Sequence, residues 1–284
     1  MNVLSLFDGM SCGQIALERA GIQVNNYYAS ELDKYAIKVT QANWPNTVQL
    51  GDVTKWREWD IDWSSIDLLI GGSPCQGFSF AGKQLAFDDP RSALFFEYLN
   101  ILNHIKSVNP NVKFLLENVK MKKEYLDVIS GLLGVEPVFI NSGDYSACER
   151  PRYYWFNWGF DRPPASPKTF GDVIDYQSDS NLLSDGWHSW WAKNREFQLK
   201  KKYSKIVMPS DQGITMTARQ YESWNGNFIP AVSGGYRKPT KEELSALIGA
   251  SENYFSNVSQ RKAEEMTGNG WTVDVIAHIF RSMK

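Results

Sequence analysis

The sequence predicts an α/β fold on a mainly parallel sheet, joined to a second, smaller and irregular lobe. Three observations carry this. Through residue 158, short apolar runs alternate with stretches of helical period, the pattern of βαβ units. Four successive apolar runs finish on polar or acidic groups, at the edge where open α/β sheets keep their ligands. Near Phe160 the text turns polar, rich in Trp and Gly, and poor in alternation.

The elements follow in order. Val3 to Phe7 reads as a buried strand that breaks at Asp8-Gly9, and a helix runs from about Gln14 to Ala20. Tyr27 to Ser30, Thr47 to Leu50, Asp67 to Gly71 and Lys113 to Leu116 are the next four strands. Between the last two, Phe95, Leu99, Leu102 and Ile105 fall near helical spacing over 92–105. Segments 137–140 and 153–156 form a late pair of strands. The stretch from Arg162 to Pro167, with three prolines, is linker-like. The second lobe, 159–267, holds one clear helix start at Thr240, where Glu243 completes a capping box. From Thr272 to Ser282 a helical period returns through Val273, Ile276, Ile279 and Phe280. That last stretch is expected to pack back on the first domain, so that 1–158 is completed by 268–284.

Composition narrows the class. Of 284 residues, 43% are hydrophobic and 22% charged, which excludes a disordered or fibrous chain. Cys12, Cys75 and Cys148 are too few and too scattered for a disulfide framework or a metal knuckle. A reducing compartment, the cytoplasm, is the expected home. No apolar run approaches the roughly 18 residues of a membrane helix, and no leader precedes the strand that Met1 opens. The net charge of -2 excludes a surface that is basic throughout, so any nucleic-acid contact needs a local patch.

The strand ends carry the chemistry. Glu31 follows the second strand, Asp52 the third, Ser73-Pro74-Cys75 the fourth and Glu117-Asn118 the fifth. The first turn, Phe7 to Gly13, is shaped like a nucleotide turn but lacks the central glycine of GxGxxG, so a pyrophosphate fits it poorly. An adenosine without phosphates needs no such glycine. Glu31 is placed to accept ribose hydroxyls, and Asp52 to meet an adenine amino group. S-adenosylmethionine has this adenosine, with a carboxylate for the helix start near Ser11. A plain βα turn without ligand is the alternative. Cys75 sits in a Gly/Pro loop just past a buried strand, a setting for a nucleophilic thiolate rather than a packed thiol. Arg150 and Arg152, alternating around Pro151, point to one side of an extended segment and suit a paired contact to a carbonyl or phosphate.

These blocks together resemble the C5-cytosine DNA methyltransferase family. The matching residues are Leu6-Phe7-Asp8-Gly9 with Gly13, Ser30-Glu31, Gly51-Asp52-Val53, Gly72-Ser73-Pro74-Cys75, Glu117-Asn118-Val119, Arg150-Pro151-Arg152 and Gly268-Asn269-Gly270-Trp271, in the family's order. Arg-Pro-Arg-Tyr-Tyr-Trp and the closing Gly-x-Gly-Trp look most like the de novo branch, while the short chain resembles compact bacterial and phage enzymes. Cys148 stands where many members carry Gln, a residue that the de novo branch also lacks. The resemblance implies a Rossmann-like S-adenosylmethionine-dependent methyltransferase fold, with a target-recognition domain at 159–267. It implies that Cys75 attacks C6 of cytosine, that Glu117 holds N3 and the exocyclic amine, and that Arg152, with Arg150 beside it, serves O2. Phe7, Asp8, Gly9, Met10, Ser11, Glu31, Leu32, Asp52, Val53, Gly72, Pro74, Asn269, Gly270 and Trp271 would line the donor pocket. No metal is needed.

A cytosine in a duplex must be flipped out before a thiol can reach it, and the loop from Gln76 to Asp89 is a candidate to close over it. Double-stranded DNA is therefore the expected partner. Its contacts are assigned to Ser79 and to the basic run Lys193, Arg195, Lys200, Lys201, Lys202 and Lys205, with Thr215, Thr217 and Arg219 reaching base edges. A solvated helix face is the alternative for the lysines. A cognate restriction endonuclease in a bacterial or phage-infected cell is a possible companion, not a requirement. Three rival classes are an RNA-directed relative, a non-catalytic binding module and a nucleotide oxidoreductase, the last disfavoured by the broken glycine pattern.

Overall fold

Asn2–Leu6 forms β1, with Val3, Leu4 and Leu6 fully buried. In the computed structural model, which describes residues 1–74, 93–222 and 224–283, β1 pairs in parallel with β2 (Asn26–Ser30) on one side and β4 (Leu68–Gly71) on the other. β3 (Val48–Gln49) lies outside β2, and β5 (Lys113–Val119) outside β4, both parallel. β7 (Pro151–Phe156) adds antiparallel to β5, and β6 (Val138–Asn141) is the far edge. The order β3-β2-β1-β4-β5-β7-β6 means that the chain steps outward from β1, returns, and steps outward again from β4. The gap between β1 and β4 is thus a topological switch point, and ligands of such sheets bind beyond the carboxyl ends there.

Helices α1 (Cys12–Arg19), α2 (Lys34–Asn43), α3 (Ala93–Val108) and α4 (Lys123–Leu133) belong to the same unit. The four α3 positions singled out by spacing are all buried, in one cluster with Leu4, Leu69, Phe114, Leu116 and Trp155. Gly71 ends β4 where space is tightest. A Cβ there would stand 3.1 Å from the Leu6 carbonyl and from the Tyr98 ring, whose hydroxyl donates to the Leu115 carbonyl at 3.0 Å.

Contacts divide the chain into two units. The first comprises 1–140, 151–162 and 277–284, and the second 141–150 and 163–276, so one crossing falls within the proline-rich stretch. In the second, α5 (Asp185–Lys201) starts on the Ser184 side chain and packs Trp187 and Trp191 against Phe228. Phe228 lies on β9 (Gly226–Pro230), flanked by β8 (Ser204–Ile206, parallel) and β10 (Tyr236–Arg237, antiparallel). The capping box at Thr240 and Glu243 starts α6 (Lys241–Ile248) as the sequence predicts. Glu243 also takes the fully buried Arg237 guanidinium at 2.7 Å. α7 (Gln260–Asn269) follows. Gly268 in it has no room for a side chain, since a Cβ would sit 2.0 Å from the Thr217 carbonyl carbon. α8 (Val273–Arg281) buries all four residues of its predicted period. Its end belongs to the first unit, where Trp158 donates to the Ile279 carbonyl at 3.1 Å.

Some boundaries differ from the sequence reading. α1 begins at Cys12, not near Gln14, which makes Ser11 its N-cap. β5 runs on to Val119, so Glu117 and Asn118 lie inside the strand rather than after it. The reason is tertiary: both residues pair across to β7, opposite Tyr154 and Tyr153. Helices α2, α4 and α7 were not anticipated.

Candidate active site

The turn after β1 is held in an uncommon backbone. Phe7, Gly9 and Ser11 alternate through the left-handed region, with φ of 58°, 59° and 60°. Only glycine adopts this without strain, so Phe7 and Ser11 cost on the order of 1 kcal/mol each. The surroundings impose it. Ser11, although the N-cap of α1, makes no side-chain cap. Its hydroxyl donates instead to Asp8, whose other oxygen accepts from the Tyr27 hydroxyl at 2.7 Å. Thr40 and Gln14 hydrogen-bond to Ser11 Oγ at 3.2 and 3.3 Å, and Gln14 reaches Thr47 at 2.8 Å. Burial pushes the Asp8 carboxyl up to about 6; hydrogen bonds from Ser11, Ser5 and Tyr27 pull against this, and the charge of Glu31 adds to it.

Glu31, just past β2, closes the turn from the other side. One carboxylate oxygen accepts from the Gly9 N–H at 2.8 Å, the other from Leu32 and Asp33 N–H at 2.7 and 2.8 Å. The Leu32 side chain is exposed, whereas Met10 and Val53 are buried. Asp52 caps the 3-10 turn Val53–Glu58; the Thr54 N–H, then its hydroxyl, hold the carboxyl below its usual range. Three carboxylates thus stand at the ends of β1, β2 and β3. That set suits a cationic ligand with hydroxyl and amino donors, and it repels a phosphate.

A second cluster lies at the ends of β4 and β5. Asn118 donates to Ser73 Oγ at 3.2 Å and to its carbonyl at 3.5 Å, fixing the chain where Gly72-Ser73-Pro74 leaves β4. Beside Asn118, Glu117 forms an ion pair with Arg152 of β7, Nε to Oε1 2.7 Å, both side chains mostly buried. Residues 75 and 79 follow Pro74, and Cys75 and Ser79 lie outside the described residues. The other two cysteines are buried, and burial pushes the Cys148 thiol up to about 12.

Arg150 does not join Arg152 as a pair. It is buried in the second unit, where its guanidinium donates to the Met216 and Gly268 carbonyls at 3.1 and 3.2 Å. Alternation along an extended segment sets the side of a residue but not its partner. Asn269, Gly270 and Trp271 belong to that unit as well. On α5, Lys193, Arg195, Lys200 and Lys201 are exposed, and Lys202 ends the helix in the left-handed conformation. Thr217 is exposed, and Arg219 is engaged by Glu222 at 2.9 Å. Lys205 donates to the Gln212 carbonyl at 2.6 Å. Among the described residues no cluster of His, Cys, Asp or Glu could hold a metal ion, and no helix is long and apolar enough to cross a membrane.

Sequence reasoning missed Tyr27, Gln14, Thr40 and Thr47, which the fold brings beneath the first turn. The available signal was polar residues in otherwise buried stretches of α1 and α2.

The profile of the C-5 cytosine-specific DNA methylases matches residues 1–125. The type II methyltransferase M1.ScrFI of Lactococcus lactis subsp. cremoris is 32% identical over 310 residues, spanning 99% of this chain and 77% of that one. M.NlaX of Neisseria lactamica is 30% identical over 305 residues, spanning 99% and 96%. In fold, the Dnmt2 methyltransferase of S. pombe superposes with a TM-score of 0.75 at 18% identity, covering 99% of this chain and 97% of that one. The Entamoeba histolytica methyltransferase EhMeth gives 0.76 at 17%, covering 100% and 97%. With relatives this similar along nearly its whole length, the chain belongs to the C-5 cytosine-specific DNA methylases, enzymes that methylate carbon 5 of cytosine in DNA.

Proposed function

We propose that the protein methylates a cytosine flipped out of duplex DNA through a covalent bond between Cys75 and C6. The observation that carries the reading is the Glu117–Arg152 pair on β5 and β7, next to the Asn118–Ser73 anchor from which Pro74 and Cys75 follow.

The chemistry explains the residue types. C5 of cytosine is a poor nucleophile because the ring is electron-poor. Addition of the Cys75 thiolate forms a C6–S bond and moves an electron pair to C5, which can then take a methyl group. S-adenosylmethionine, when bound, supplies that methyl from its sulfonium. Loss of the C5 proton returns an electron pair to the ring, breaks the C6–S bond and expels Cys75 as thiolate. Charge gathers on N3 and O2 along the way. A protonated Glu117, donating to N3, and the cationic Arg152 at O2 stabilise it more in the transition state than before it. The guanidinium has five N–H donors and the carboxylate two oxygens, so both keep bonding capacity beyond their own pair.

In the same reading, Phe7 to Ser11, Glu31, Leu32, Asp52, Val53, Gly72 and Pro74 hold the methyl donor. Arg150 fixes the backbone at Gly268 rather than touching the base. The second unit, as target-recognition domain, contacts DNA through Lys193, Arg195, Lys200, Lys201, Lys202, Thr217 and Arg219, and Ser79 contacts it from the loop after Cys75. From the type II relatives we carry over the modification half of a restriction system in a bacterial or phage-infected cytoplasm, with the endonuclease as an optional companion. Incubation with methyl-labelled S-adenosylmethionine and either duplex DNA or tRNA tests the substrate. Label is expected in duplex DNA; label only in tRNA overturns the reading.

A further inference from the structure

We propose that Tyr27 is a positioning residue for the methyl donor, holding the left-handed Phe7–Ser11 turn in its binding shape by way of Asp8. The proposal rests on the reading of that turn as part of the donor pocket.

The hydrogen bonds beneath the turn have a direction. A hydroxyl has one proton and two acceptor lone pairs. Ser11 Oγ receives donors from Thr40 and Gln14, so its own proton goes to Asp8. The remaining Asp8 oxygen takes the Tyr27 proton. The Ser11 and Tyr27 protons therefore both lead to one carboxylate, and the network ties α1, α2 and β2 to the residue that follows β1. A serine that would otherwise cap its helix is spent on this. The result is that Gly9, between the two strained residues, turns its N–H to Glu31 at 2.8 Å.

The arrangement requires Asp8 as a carboxylate, because it accepts from both sides. Among the described residues, the groups that act on it are Ser5 from β1, Ser11 at the start of α1, Tyr27 from β2 and Glu31 beyond β2; Tyr27 and Glu31 are the titratable ones, and no cation is among these four. Burial holds its carboxyl near 6, so it is ionised at neutral pH and takes up a proton just below. A protonated Asp8 must donate through one oxygen, and either Ser11 or Tyr27 has to turn away. Two consequences have opposite signs. A carboxyl raised in the folded state binds protons more tightly there than in the unfolded chain. Its protonation therefore adds to fold stability as pH falls from about 6 toward about 4. Donor affinity falls as pH drops through about 6 and the carboxylate form is lost.

The test is calorimetric binding of S-adenosylmethionine to the whole protein well below its melting temperature, alongside thermal unfolding. Tyr27→Phe is expected to weaken binding about tenfold, the worth of one hydrogen bond to a charged group, and to raise the KM for the donor with little change in kcat. Wild-type affinity is expected to drop between about pH 7 and about pH 5.5, and Asp8→Asn to remove that dependence. Phe7→Ala and Glu31→Ala report on the pocket itself. If they bind weakly while Tyr27→Phe binds as wild type, the pocket stands and the role of Tyr27 is overturned. If both bind as wild type, the pocket reading fails and the proposal with it. Should Tyr27→Phe not fold, the pH profiles of wild type and Asp8→Asn decide: a flat wild-type profile overturns the proposal.

Discussion

A thiol that attacks a pyrimidine must be reachable and able to ionise. Cys12 and Cys148 are buried, and burial pushes the Cys148 thiol up to about 12. The account therefore predicts that Cys75→Ser abolishes turnover while calorimetric affinity for S-adenosylmethionine stays as in wild type; a serine variant with wild-type rate removes the nucleophile. Arg152→Lys keeps a charge but loses the planar fork that meets Glu117 at 2.7 Å. It is expected to lower kcat by about 100-fold or more, the loss typical of one transition-state donor, measured under saturating donor and DNA. At this scale Glu117 and Arg152 stand out as charged residues in otherwise apolar strands, and the structure pairs them. The partner of Arg150 was not legible, because Met216 and Gly268 lie far along the chain. The same holds for Tyr27, an ordinary strand residue until its hydroxyl is seen to meet Asp8.

Elements position these groups through fit that periodicity only partly conveys. Gly71 lets β4 pass the Leu6 carbonyl and the Tyr98 ring. Gly71→Ala is expected to destabilise the protein by about 1–3 kcal/mol through overpacking, read as a lower urea midpoint with an unchanged slope. A strong 3.6-residue period made α3 and α8 readable. β5 outran its apolar run because pairing with β7 overrides the polarity of Glu117 and Asn118. α5 carries a weak signal, since Trp187, Trp191 and Gln198 are its buried residues among many charged ones. Its exposed Lys200, Lys201 and Lys202 are assigned to phosphates. Replacing all three with Gln is expected to weaken DNA binding regardless of sequence and to flatten its salt dependence, by a slope of about 0.9 per lost phosphate contact. An unchanged slope in fluorescence anisotropy would leave them as a solvated face.

For the molecule as a whole, the chain enters the second unit twice, at 141–150 and again at 163–276. The proline-rich stretch marks one crossing in the sequence. The other is set by long-range bonds such as Glu149 N–H to the Gly213 carbonyl at 3.0 Å, and no local signal announces it. Likewise Gly268 reads as a motif glycine, while the fold gives its reason: close packing on the Thr217–Ala218 backbone. In the proposed mechanism the chemistry reduces to one transient carbon–sulfur bond. Duplex DNA carrying 5-fluorocytosine traps it, because fluorine cannot leave C5 as a proton does. After incubation with that DNA and S-adenosylmethionine, mass spectrometry of the digested protein is predicted to find the nucleotide on the peptide containing Cys75. A protein that methylates ordinary cytosine but forms no adduct, or forms one on another residue, contradicts the account.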